Sequence, residues 1–243
     1  MARTGWWSRL GFAKLEQHEL RWLLVGVAAC MLLLLFIALA GEVTEGDTLA
    51  FDTKILVALR TADNPARPVG PDWLESSLLD LTAIGGPTVL ALVVLSVVGF
   101  LLLQARYRTA AFVLATAITG ELLGTSMKHV FNRTRPTVVP HLRDVYSASF
   151  PSGHAMESAI IYLTLGAILM RVAEDRVTKV YCLGIAVLLT VVVGASRVCL
   201  GVHYPTDVIG GWIIGFAWAS ICWLVEERFE AIAGIANEKT RTG

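Results

Sequence analysis

Charge is scarce in this chain: Asp, Glu, Lys and Arg make up only 16% of its 243 residues. A soluble domain carries about a quarter of its residues charged, so a water-filled surround on all sides is excluded. The twenty basic and twenty acidic residues cancel, which removes any global attraction to nucleic acid or to an acidic partner. Cysteine is sparse too. Cys30, Cys182, Cys199 and Cys222 show no metal-ligand spacing and read as small apolar residues packed among helices. Internal repeats, low-complexity tracts and a carboxylate cluster fit for a metal are all missing, as is the two-residue alternation of a membrane β-barrel.

Apolar residues are abundant instead, at 55% of the chain with a mean hydropathy of +0.64. They gather into runs of 16 to 19 residues at Trp22–Ala40, Pro87–Leu103, Thr109–Met127, Ala155–Met170, Val180–Ala195 and Val208–Val225. At 1.5 Å per residue the shortest spans roughly 24 Å, a little under the ~30 Å hydrocarbon core, so flanking residues extend the helices. Only helices satisfy their own backbone over such runs in lipid. The expected fold is all-α, a single polytopic bundle over 1–243 with six transmembrane helices and short interfacial helices.

Basic residues orient it. Arg3, Arg9, Lys14 and Arg21 precede the first span, Arg106 and Arg108 follow the second, Arg171, Arg176 and Lys179 follow the fourth, and Arg228, Lys239 and Arg241 close the tail. The positive-inside rule places these in the cytoplasm, with residues 1–21 as a cytoplasmic leader. Ala38-Leu39-Ala40 resembles a signal-peptidase site, but the leader holds Glu16 and Glu19 and the apolar run exceeds a signal core, so retention is expected.

The other side receives the 41–86 segment and three polar clusters. In 41–86, Asp47 precedes a Phe51/Ile55/Leu59 stripe, prolines follow at 65, 68 and 71, and a second stripe runs through Trp73, Leu74, Leu78, Leu79 and Leu81. Short interfacial helices around a proline-broken turn fit, with packing on the surface favoured over a lateral wall for a lipid. The clusters are Lys128–Pro136, Pro151–His154 and Ser196–Asp207. Pro136 disfavours helix at Arg135, so the chain is extended there and folds the arginine back over Lys128. Two cations held together require an anion between them. Ser152 and Gly153 open the fourth span, and a helix N-terminus binds anions. Pro205 suits the first turn of the sixth span, which lets Asp207 reach back to one nitrogen of His203, fix its tautomer and leave the other lone pair free.

Spaced as Lys-x6-Arg-Pro, Pro-Ser-Gly-His and Ser-Arg-x5-His-x3-Asp, these clusters resemble the type 2 phosphatidic acid phosphatase family of membrane lipid phosphatases. The resemblance implies that His203 attacks phosphorus and forms a phosphohistidine, with Asp207 orienting it. His154 would protonate the leaving oxygen and then activate water, while Lys128, Arg135, Ser152, Gly153 and Arg197 would hold the non-bridging oxygens. Three cations then do the work of a metal, and no cofactor is implied. Paired histidines starting from a reference pKa of ~6.5 imply a bell-shaped pH profile.

Implied partners are the bilayer and a membrane lipid phosphate: polyprenyl diphosphate, phosphatidylglycerol phosphate, phosphatidic acid or lipid A phosphate. The implied location is a bacterial inner membrane with the site outside the cytoplasm; oligomeric state is not legible. A lipid phosphotransferase using the same phosphohistidine and a non-catalytic phospholipid transporter are the competing readings. Glu121, seven residues before Lys128 in the third span, is expected to have a structural partner because a lone charge at that depth costs on the order of 2.5–3.5 kcal/mol. Glu157 reads as a near-interface polar group, with support of His154 as the alternative. Gly211 and Gly215 form a small-xxx-small pair, read as a close helix contact rather than a dimer face. Arg133 and Arg143 lie outside the matched positions, free to add field strength or bind a second phosphate.

Overall fold

The computed structural model describes the backbone of residues 17–242 and side chains over 19–229. Eight helices follow in order: α1 Gln17–Glu45, α2 Leu49–Ala58, α3 Trp73–Ile84, α4 Pro87–Leu103, α5 Tyr107–Phe131, α6 Gly153–Val172, α7 Arg176–Cys199 and α8 Pro205–Thr242. The only sheet-like pairing among the described residues is an isolated bridge between Arg60 and Pro68. Most of the leader expected over 1–21 lies outside the described residues.

Among the described residues, five helices are long and apolar enough to cross a membrane: α1, α5, α6, α7 and the Pro205–Phe229 part of α8. The expected Pro87–Leu103 span forms α4, and α3 and α4 taken together are long and apolar enough for one further span, bent by 44° at Gly85-Gly86. Pro87 at the start of α4 forces the break, because it carries no N–H for a continuous helical ladder. α1 runs unbroken through Ala38-Leu39-Ala40, and Phe36, Ala40 and Val43 are buried in the core.

α6 is the central helix, with 44% of its apolar window buried against 17% for α1. It packs on α5, α7 and α8, while α1 lies on α8 and α3 on α7. The α6–α8 contact depends on absent side chains. A Cβ at Gly211 would stand 2.7 Å from the Ser152 carbonyl oxygen, and one at Gly215 would stand 2.7 Å from that of Met156. The small-xxx-small pair is therefore a helix contact inside the chain. Outward faces stay greasy: Leu24, Met31, Leu34 and Leu95 are all more than half exposed, as helices bathed in lipid require.

One end of the bundle collects ion pairs between Arg21 and Glu227 (3.2 Å) and between Arg171 and Glu226 (3.1 Å). The other end collects the three polar clusters, roofed by the 132–152 loop. That loop is pinned by Phe150, whose ring meets Phe36 at 5.7 Å and Phe131 at 5.0 Å, and by the Leu142 amide on the Leu200 carbonyl at 3.1 Å.

Candidate active site

His203 lies in the short turn between α7 and α8, 2% exposed. Gly201 makes that turn with φ +72°, where a side chain would strike the Arg60 guanidinium 2.6 Å away. Asp207, one turn on, is fully buried and its Oδ2 lies 3.4 Å from His203 Nδ1. The same oxygen accepts from Ser149 Oγ at 2.5 Å and from the Tyr204 amide at 2.8 Å. On the far side of the ring, Arg135 Nη1 lies 3.2 Å from His203 Nε2. A guanidinium can only donate, so Nε2 accepts and the ring proton sits on Nδ1, facing Asp207. Burial pushes the His203 pKa down to about 4; Asp207 pulls it back, while Arg135 and Arg197 push with burial. The imidazole is therefore neutral at physiological pH, with an Nε2 lone pair.

Arg135 is extended rather than helical because α5 stops at Asn132, whose φ of +41° ends the helix while its N–H donates a hydrogen bond to the Lys128 carbonyl. Its guanidinium donates to the carbonyls of Ser147 (2.7 Å) and Val202 (2.6 Å), and Nη2 reaches Ser147 Oγ at 3.2 Å. Lys128 Nζ approaches the same hydroxyl at 3.5 Å. Two cations thus meet at one hydroxyl. Gly153 makes room for the lysine, since a Cβ there would stand 2.9 Å from Nζ.

Ser152 stands at the N-cap of α6, but its hydroxyl makes no capping bond. Its backbone does the tying instead: the Ser152 amide donates to the Asp207 carbonyl at 2.9 Å, which joins the second cluster to the third. Ser152 Oγ, His154 Nε2 and Arg197 Nε are buried without a hydrogen-bond partner. Arg197 itself is 2% exposed, and its Nη1 donates to Thr82 Oγ1 of α3 at 3.0 Å. His154 lies within electrostatic range of Arg197, His203 and Lys128. Orphaned polar atoms are rare in protein interiors, and several beside two paired cations form a pocket suited to the oxygens of a phosphate.

Beside this pocket, α4, α5 and α6 enclose an apolar groove of about 420 Å³ lined by Leu90, Val94, Leu114 and Ile161, with Glu121 and Glu157 in its wall. Glu121 has the structural partner expected of it. Thr125 Oγ1 donates to it at 3.3 Å, and Glu157 lines the same groove wall. Glu157 reaches toward Lys128 across Gly153, its Oε1 being 3.2 Å from the position of a Cβ there.

A family model described as the PAP2 superfamily matches residues 108–230, half of the chain and all three clusters. The chain belongs to the PAP2 superfamily. Phosphatidylglycerophosphatase B of Bacillus subtilis is 29% identical over 187 residues, covering 76% of this chain and 87% of that protein. The crystal structure of a transmembrane PAP2 type phosphatidylglycerolphosphate phosphatase from Bacillus subtilis superposes with a TM-score of 0.74 at 27% identity, covering 82% of this chain and 96% of that one. Undecaprenyl-diphosphatase of Sulfolobus acidocaldarius is 32% identical over 131 residues, 51% of this chain and 58% of that protein. This PAP2 chain is an integral-membrane phosphatase.

Several residues around this candidate site were not legible from the sequence. Asp52 and Thr206 contact Arg133, Ser149 holds Asp207, and Thr82 holds Arg197. Two expectations change as a result. Arg133 binds no second phosphate: its two amino groups are committed to Asp207 and Asp52, at 2.6 and 2.9 Å. Burial lowers its pKa, but the two carboxylates outweigh that and raise it. Nor does the 41–86 segment merely pack on the surface. Phe51 of the anticipated stripe points out, 53% exposed, while Asp52 and Leu56 are fully buried. The one available signal was an acid four residues before a leucine inside a short amphipathic stretch.

Proposed function

We propose that this protein hydrolyses a phosphomonoester or diphosphate of a membrane lipid through a phosphohistidine on His203, without a metal. The supporting observation is the set of buried, unpartnered Ser152 Oγ, His154 Nε2 and Arg197 Nε at the same end of the bundle as a neutral, Asp207-oriented His203. The Nε2 lone pair attacks phosphorus, and the bond from phosphorus to the lipid oxygen breaks as His154 gives that oxygen a proton. His154 then takes a proton from water as the water oxygen attacks phosphorus. The P–N bond breaks, inorganic phosphate leaves and both histidines return to their starting states. Lys128, Arg135 and Arg197 neutralise the non-bridging oxygens and Ser152 donates a hydrogen bond to them, the main requirement of phosphoryl transfer, and Gly153 lets Lys128 approach.

A lipid substrate is supported by the groove beside the pocket and by the lipid names of the relatives. Phosphatidylglycerol phosphate is the first candidate, because the relative with that activity in its name aligns over 87% of its length; undecaprenyl diphosphate, phosphatidic acid and lipid A phosphate follow. The basic residues at the opposite end support a cell-membrane location with the site outside the cytoplasm. The test is phosphate release by purified protein from these four lipids, with and without chelator, beside His203→Ala and His154→Ala. Release without an acceptor, resistance to chelator and loss of turnover in both variants are expected. Activity in His203→Ala would refute the nucleophile, and phosphate appearing only on an added acceptor would make the enzyme a transferase.

A further inference from the structure

Asp52 is fully buried although its helix, α2, is no membrane span and contributes no residue to the three clusters. Its carboxylate accepts three hydrogen bonds. Oδ1 accepts the Thr206 amide at 3.0 Å, while Oδ2 accepts Thr206 Oγ1 at 2.6 Å and Arg133 Nη2 at 2.9 Å. Arg133 lies over the Tyr204 ring at 4.3 Å and donates through Nη1 to Asp207 Oδ1 at 2.6 Å. A continuous path therefore runs from Asp52 through Arg133 and Asp207 to His203. The far end of the same helix is tied down as well: Arg60, just past it, donates to the Cys199 carbonyl at 2.8 Å. One short helix grips both ends of the 199–206 segment that carries His203.

Building on the phosphohistidine reading, we propose that Asp52 is a positioning residue for the His203–Asp207 pair, acting through Arg133. Arg133 is shared between two carboxylates. With the Asp52 charge gone, the guanidinium keeps the Thr206 and Thr48 hydroxyls but has Asp207 as its one carboxylate, and it draws Asp207 away from Nδ1, where the 3.4 Å contact is already the longest that Asp207 makes. A less supported imidazolium forms more slowly on attack. The charged groups facing His203 are Arg135 from the roofing loop, Arg197 on α7, His154 on α6 and Asp207 on α8. Arg133 faces Asp52, Asp207 and Tyr204. Removing Asp52 adds net positive charge beside this set and disfavours protonated His203 further.

The experiment is rapid-quench phosphoenzyme formation with 32P-labelled dioleoyl phosphatidylglycerol phosphate in detergent micelles, plus the pH profile of kcat. Asp52→Asn should form phosphoenzyme roughly ten- to hundredfold more slowly, the range for one member of a buried charge network. KM should stay within about twofold, and the acid limb should move to lower pH. Asp52→Glu should recover part of the rate and return the limb toward the wild-type position. Wild-type rate and limb in Asp52→Asn, or equal losses in both variants with the limb unmoved, would overturn the proposal. If Asp52→Asn does not fold, Thr206→Val decides, because it removes the hydroxyl's 2.6 Å bond to Asp52 and its 2.9 Å bond from Arg133 and keeps every charge: slower phosphoenzyme formation supports the proposal and an unchanged rate overturns it. Absence of phosphoenzyme in the wild type would instead sink the nucleophile assignment.

Discussion

Replacing Gly211 by alanine adds one methyl group where α8 crosses α6. The new Cβ would sit 2.7 Å from the Ser152 carbonyl oxygen and 3.0 Å from the Ala155 Cβ, against the 3.4 Å at which ordinary contact begins. Two backbones cannot bend aside like a flexible side chain, so the helices must part by about 0.7 Å, the 3.4 Å contact less the 2.7 Å approach. Overpacking of this kind costs about 1–3 kcal/mol. The larger consequence is chemical. Ser152 gives its amide to the Asp207 carbonyl, and His154 follows two residues on, so the shift separates His154 from His203. A misplacement approaching 1 Å costs up to about a hundredfold in rate. Gly184→Ala on α7 is the control, because a Cβ there meets nothing within 4 Å and alanine favours a helix by up to about 1 kcal/mol. Phosphate release and thermal unfolding would be measured on both. The expected outcome is a ten- to hundredfold loss of kcat in Gly211→Ala, with unchanged kcat and equal or higher thermal stability in Gly184→Ala. Full activity in Gly211→Ala would refute the argument that this backbone contact sets the distance between the histidines.

Burial holds the His203 pKa at about 4, so under the proposed mechanism the attacking lone pair is lost only as pH falls through that value. The acid limb of kcat/KM should therefore lie well below the ordinary histidine range of ~6.5; a limb near 6.5 in a pH 3.5–8 titration would contradict the burial argument. Thr82→Val removes the one hydrogen bond seen on Arg197 Nη1 and should raise KM severalfold with a smaller effect on kcat, as steady-state kinetics would reveal; unaltered KM would show that Thr82 does not hold the arginine. In a cysteine-free background, Tyr146→Cys, 95% exposed in the roofing loop, should react with a membrane-impermeant maleimide on intact cells. Val177→Cys, 79% exposed at the other end, should react only after lysis, and the reverse pattern would invert the proposed orientation.

The six apolar runs were legible because lipid leaves a chain few ways to satisfy its backbone, and composition over some twenty residues reports that directly. The cluster residues were legible because their spacing is local and repeats a known pattern. Asp52 was not. An aspartate in a short amphipathic stretch looks the same whether it faces water or a buried arginine, and its partner Arg133 lies 81 residues away. Thr82 was hidden for the same reason, 115 residues from Arg197. The bend at Gly85-Gly86 was half visible, since Pro87 marks a helix start but does not say that the preceding helix continues the span.

Residue order alone determined that this chain is a helical membrane bundle with its histidines and cations at one end, because hydrophobic length and motif spacing are properties of contiguous residues. Tertiary structure alone decided which cations are available to a ligand. Arg135, Arg197 and Arg133 are the same residue type within one region, yet Arg135 faces His203, Arg197 turns an unpaired nitrogen inward and Arg133 is spent on two carboxylates. Partnership between charges depends on distances between segments far apart in sequence, and only packing of the helices sets those distances.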